Sequence, residues 1–170
     1  MNGYDFKESE LNSALIGIIN NKIKTNDFSN QTQEQIGKHL GMTQSMINEL
    51  MNYKTRLFSV RSFGKYCKTL DLPVLFNGEM LEGHLDTALK EKLIDMLTVK
   101  VNQIRNESKD FISYSAMAKE NNIRQVQFSY ILNRYYNKFS MQLLFNLMLS
   151  FGFRFEIVED DFSLNLLCKQ

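Results

Sequence analysis

Residues 32–59 read TQEQIGKHLGMTQSMINELMNYKTRLFS, and 81 positions later residues 113–140 read SYSAMAKENNIRQVQFSYILNRYYNKFS. The two stretches align without a gap. Under this offset Ile36 meets Met117, Gly37 meets Ala118, Met42 meets Ile123, Gln44 meets Gln125 and Ile47 meets Phe128. Leu50 then meets Ile131, Asn52 meets Asn133, and Phe58-Ser59 meets Phe139-Ser140; upstream, Ile23 meets Ile104. Few side chains are identical, but apolar position meets apolar position, as a shared core requires. A unit used twice in one chain can do with one molecule what a symmetric dimer does with two.

Around this repeat the chain reads as helices. Residues 9–24 carry Leu11, Leu15, Ile18, Ile19 and Ile23 at helical spacing, with Ser9 as the expected N-cap. Thr32 caps a second helix bearing Ile36 and Leu40, and Gly41 ends it, because glycine accepts a positive φ without a Cβ clash. Thr43 caps a third helix with Met46, Ile47 and Leu50 on its apolar side. Ser59 caps a fourth, with Phe63, Tyr66, Cys67 and Leu70 inward, and residues 72–76 read as a short strand. Gly78 to Gly83 is the expected boundary, giving units 1–80 and 84–170. In the second unit helices are expected over 87–106, 114–121, 124–133 and 141–151. Residues 153–158 alternate as a half-buried strand, and Phe162, Leu164 and Leu166 alternate again after the turn Glu159-Asp160-Asp161, so the C-terminus reads as a hairpin. The strands 72–76 and 153–158 are equivalent under the offset and are expected together in one small antiparallel sheet.

At 170 residues the chain accommodates one domain or two small ones. Its 44% hydrophobic and 23% charged residues describe a soluble globular protein, with no apolar run of membrane-spanning length and no secretory signal at its start. Cys67 and Cys168 build no disulfide framework, and a reduced cytoplasmic setting is expected. His39 and His84 lack neighbours at metal-ligand spacing, so no metal or cofactor is expected. The net charge is only +1, yet basic residues cluster. Lys54, Arg56, Arg61, Lys65 and Lys68 stand against Glu49 alone, and Lys119, Arg124, Arg134 and Lys138 stand against Glu120. One such cluster reads as a solvated face; two in register suggest an anion-facing surface.

Residues 33–50, QEQIGKHLGMTQSMINEL, resemble a helix-turn-helix of the Cro and phage-repressor (XRE-like) family. The small Gly37 stands where the second helix crosses the third, Gly41 makes the turn, and Ile47 and Leu50 anchor the third helix. The tail LFSVRSFGKYCKTLDLPVLF resembles the helix-then-strand ending of HigA-like antitoxin domains, and KFSMQLLFNLMLSFGFRFEI resembles it more closely. The second copy departs at Asn121-Asn122, which replaces Leu40-Gly41; asparagine tolerates the left-handed turn. The resemblance implies a mainly α fold of two tandem helix-turn-helix (lambda-repressor-like) units, each with a recognition helix for the DNA major groove.

The residue types suit that role. Gln44 and Gln125 begin the third helix of each unit, and glutamine can pair with adenine N6 and N7; Arg124 can present its fork to guanine O6 and N7. Ser45, Asn48, Gln127 and Ser129 add short polar groups for base edges. Lys54, Arg56, Asn133, Arg134 and Lys138 follow the third helices, where the phosphate backbone passes, and Gln33 and Ser115 lie at the start of the second helices, where free N–H groups favour phosphate. No catalytic residue is expected: G-x-S-x-G, P-loop, H-E-x-x-H and Cys–His pairings are missing. The expectation is a sequence-specific regulator, a repressor acting as an intrachain pseudo-dimer on double-stranded DNA. The alternative is an adaptor or antitoxin-like protein whose helix-turn-helix surfaces bind a toxin or a second copy.

Overall fold

In this computed structural model, residues 8–25, 28–54, 59–108, 112–158 and 163–168 are described. The chain divides into two compact units. One comprises Lys7–Asp86 together with Phe155–Leu166, and the other is built on Thr87–Arg154. The hairpin that sequence reading gave to the second unit is therefore largely part of the first.

In the first unit, α1 (Glu8–Thr25) buries Leu11, Leu15, Ile16, Ile19 and Ile23 on one side. The helix already includes Ser9, the residue expected to precede it. Buried Asn20 donates from Nδ2 to the carbonyl of Leu50 at 2.8 Å, tying α1 to the end of α3 (Gln44–Met51). Before it lies α2 (Gln33–Leu40), started by a reciprocal cap: the Gln35 N–H donates to Thr32 Oγ1, and the Thr32 N–H donates to Gln35 Oε1. The Thr43 hydroxyl accepts from the Met46 N–H to start α3. α4 (Val60–Thr69) starts under Ser59 and buries Val60, Phe63, Tyr66 and Cys67.

β1 (Leu75–Phe76) and β2 (Glu79–Met80) form a hairpin across Asn77-Gly78, both at positive φ. This is the pair that a two-residue primed turn demands. The expected strand 72–76 shrinks to two residues, and its continuation through a hairpin was missed although Asn-Gly is a strong turn signal.

In the second unit, α5 (Leu85–Glu107) begins two residues before the expected start. It is followed by α6 (Tyr114–Glu120), α7 (Gln125–Leu132), a 3-10 turn (Tyr136–Lys138) and α8 (Met141–Ser150). β3 (Phe153–Val158) and β4 (Ser163–Cys168) complete the chain. The sheet order is β2-β1-β4-β3. β1 runs antiparallel to β2 but parallel to β4, with Leu75 opposite Ser163 and Phe76 opposite Leu164. The expected antiparallel sheet is thus mixed. A parallel pair needs a long crossover, and residues 77–162 supply one. β1 and β3 do share the sheet, but β4 stands between them.

The repeat survives in the backbone. α7 and α8 coincide with α3 and α4 under the 81-residue offset. Left-handed residues recur in the same register: Gly41 with Asn122, Tyr53 with Arg134, and Asp71 with Gly152. The Met42 N–H donates to the Gly37 carbonyl at 2.7 Å, and the Ile123 N–H to the Ala118 carbonyl at 2.9 Å. Thr98 Oγ1 donates to the carbonyl of Ile131, the counterpart of Leu50, so a polar side chain of the long first helix secures the third helix in both units.

A Cβ added at Gly37 would lie 2.6 Å from the Met42 carbonyl oxygen, a backbone atom that cannot swing aside. Gly37→Ala should therefore cost about 1–3 kcal/mol, as overpacking does. Urea unfolding tests this, and an unchanged midpoint would sink the close-approach argument.

Candidate nucleic-acid interface

In the first unit Ile47 and Leu50 of α3 are fully buried, which turns Gln44, Ser45 and Asn48 outward, all exposed. Asn48 accepts on Oδ1 from Asn52 Nδ2 at 3.0 Å, so its carbonyl end is held while the helix start stays open. Gln33 is turned elsewhere: it is half-buried, and its Nε2 reaches Met51 Sδ at 3.8 Å. Lys54 is exposed just past Tyr53. Arg56 lies outside the described residues.

In the second unit Phe128 and Ile131 anchor α7. Ser115, Arg124, Gln125 and Gln127 come together with Lys119 and Asn122 around a recess of about 420 Å³. Sequence reading counted Lys119 in the basic cluster but not among the contacts; helical spacing from Ser115 places both at the recess. Gln127 has a structural duty, since its Oε1 accepts from the Arg124 N–H at 3.0 Å, as Gln35 does for Thr32. Arg124 replaces the hydroxyl that caps α3, so its exposed guanidinium stands at the start of α7. Ser129 is exposed but accepts from Asn133, whose Nδ2 also closes on the Ser129 carbonyl at 2.8 Å. Asn133 is thus a helix-closing residue, and Asn52 repeats the bond to the Asn48 carbonyl at 2.7 Å.

Arg134 is exposed and pairs through Nε with Asp95 Oδ1 at 2.8 Å, a contact that sequence reading did not foresee because Asp95 comes from α5. Lys138 is exposed in the 3-10 turn. Tyr135 is exposed too, its ring 6.0 Å from that of Tyr130. Arg105 lies over the Tyr114 ring and donates to its hydroxyl, fixing the start of α6.

The chain matches no family model, no curated protein and no solved structure.

Among the described residues no three His, Cys, Asp or Glu side chains gather as metal ligands, and no helix is long and apolar enough to cross a membrane. His39 packs edge-on to Phe28 with ring centroids 5.1 Å apart. Cys67 is buried, and burial pushes its thiol from an ordinary value of 9.0 up to about 12. Burial likewise raises the Tyr66 hydroxyl above its ordinary 10.0.

Both groups are neutral when protonated, and the unfolded chain ionises first as pH rises. Their folded state is fully favoured below pH 9.0 and loses ground as pH climbs through Cys67's folded value of about 12. Stability should fall from about pH 9 upward, and Cys67→Ala should flatten that fall. Denaturant midpoints from pH 7 to 11 check this; a Cys67 that reacts with iodoacetamide in the native protein as fast as a free thiol would contradict it.

Proposed function

We propose that the chain is a sequence-specific double-stranded DNA-binding regulator, a repressor that works as an intrachain pseudo-dimer with α3 and α7 as its two recognition helices. One observation carries the reading. The repeated helices bury the same anchoring positions, and each presents an exposed glutamine at the same place, Gln44 and Gln125. A surface without function has no reason to keep that register while most other outward side chains diverge.

The supporting chemistry is unequal in the two units. The first offers Gln44, Ser45 and Asn48 for base edges, with Lys54 beside them for phosphate. The second offers Gln125 and the exposed Arg124, next to Lys119 and Ser115. Gln127 and Asn133 are largely occupied with the ends of their own helix, so their contribution is to hold α7 in shape. A pseudo-dimer with unlike helices reads an imperfect palindrome, in which both half-sites carry adenine opposite glutamine and only one carries guanine opposite Arg124.

A second reading has one observation in its favour. Val126, 47% exposed on α7, is an apolar residue where Ser45 stands on α3. On DNA it meets a thymine methyl group; on a protein it meets an apolar pocket, and the second unit then serves as an adaptor.

Selection from random duplexes, followed by gel shift, separates the readings. One enriched imperfect palindrome is expected. Arg124→Ala should cost roughly 1–3 kcal/mol and relax one half-site, and Gln44→Ala should relax the other. Lys54→Ala should weaken all sequences alike and flatten the salt slope by about one unit. No binding at low salt would reject the DNA reading.

A further inference from the structure

The sheet ends on β3. Among the described residues β4 is its neighbour, and no other strand lies along its outer side. A six-residue edge strand is a template for another chain unless short length, proline, a bulge or charge blunts it. At the opposite end β2 is blunted by having two residues. β3 has no proline and runs Phe153-Arg154-Phe155-Glu156-Ile157-Val158. Arg154 and Glu156 are exposed on one face; Phe153 is buried, and Phe155 and Ile157 are half-buried on the other.

This pattern is self-complementary in one register. We propose that a second copy of the chain pairs with this edge, β3 running antiparallel to β3 about a two-fold axis through Phe155. Arg154 then stands opposite Glu156 of the second copy, and the symmetry makes the reciprocal pair. Phe155 meets its own equivalent on the apolar face, with Phe153 opposite Ile157 on either side. Directly opposed side chains have Cβ atoms about 4.5–5.5 Å apart, close enough for both the ion pairs and the aromatic contact. Centring the axis on Arg154 or on Glu156 would oppose like charges, and a one-residue slip would set Arg154 against Phe155. The chemistry of the edge thus selects both partner and register. The contact is isologous, so it closes as a dimer instead of growing into a fibre. This inference stands apart from the DNA reading and holds or fails without it.

Sedimentation equilibrium of the full chain, with circular dichroism to confirm folding, tests it. The wild type is expected to reach twice the 19.9 kDa chain mass. Arg154→Glu sets Glu against Glu twice per dimer and should weaken association about tenfold or more, and Glu156→Arg should do the same. The double variant Arg154→Glu/Glu156→Arg restores both opposed pairs and should restore the dimer. A wild type that stays monomeric at every accessible concentration overturns the proposal. So does a dimer indifferent to both single reversals, or a folded double variant that remains monomeric. If the single variants fail to fold, the wild-type mass and the double variant still decide the matter.

Discussion

Short helices do not stand alone in water, and α2 and α3 have eight residues each. They persist because the turn between them is fixed at both the backbone and the core. The Met42 N–H reaches the Gly37 carbonyl, and the Gly37 Cα comes so close to the Met42 carbonyl that a side chain there finds no room. This contact holds the outward face of α3 at one angle to α2, while Ile47 and Leu50 hold its depth. The second unit makes the same bond from Ile123 to Ala118 and admits a methyl group at the crossing. The arrangement therefore tolerates slight widening, and divergence between the copies is spent on their outer side chains.

Helix ends govern much of the rest. Hydroxyl groups of Thr32, Thr43, Ser59, Ser113 and Ser140 each accept a backbone N–H in the first turn of a helix. At the start of α7 the hydroxyl has been exchanged for the guanidinium of Arg124, and a glutamine three residues on takes over part of the capping. The helix N-terminus remains intact while a cation is placed at its mouth.

Much of the helical plan was legible in the sequence for these reasons. Caps, apolar spacing and the glycine at the turn are local signals, and they place the starts of α3 and α4 and both ends of α7 and α8 to within about a residue. The sheet was less legible. The parallel pairing of β1 with β4 joins segments far apart in the chain, and nothing in Leu75-Phe76 states which strand lies beside it. Among candidate contacts, exposure at Gln44, Ser45, Arg124 and Gln125 follows from helical phase once the anchors are known. The occupations of Gln33, Gln127, Asn133 and Arg134 do not follow, because each depends on a partner's position: Met51, the Arg124 N–H, Ser129 and Asp95.

The mixed sheet also imposes an order of events on the chain. The side chain of Asn77 accepts from the N–H of Leu166, 89 positions later, and β1 has no parallel neighbour until β4 arrives. During synthesis α1 to α4 emerge first and can assemble their helical core, but the sheet beside them waits for nearly the whole chain. Closing so long a loop costs only logarithmically more than closing a short one, so the final state loses little. The rate pays instead, since distant pairings form slowly and leave β1 and β2 exposed in the interval. A nascent chain whose residues through Asp86 have cleared the ribosome would thus hold a helical core with an open strand edge, which makes it a candidate client for chaperones at that stage.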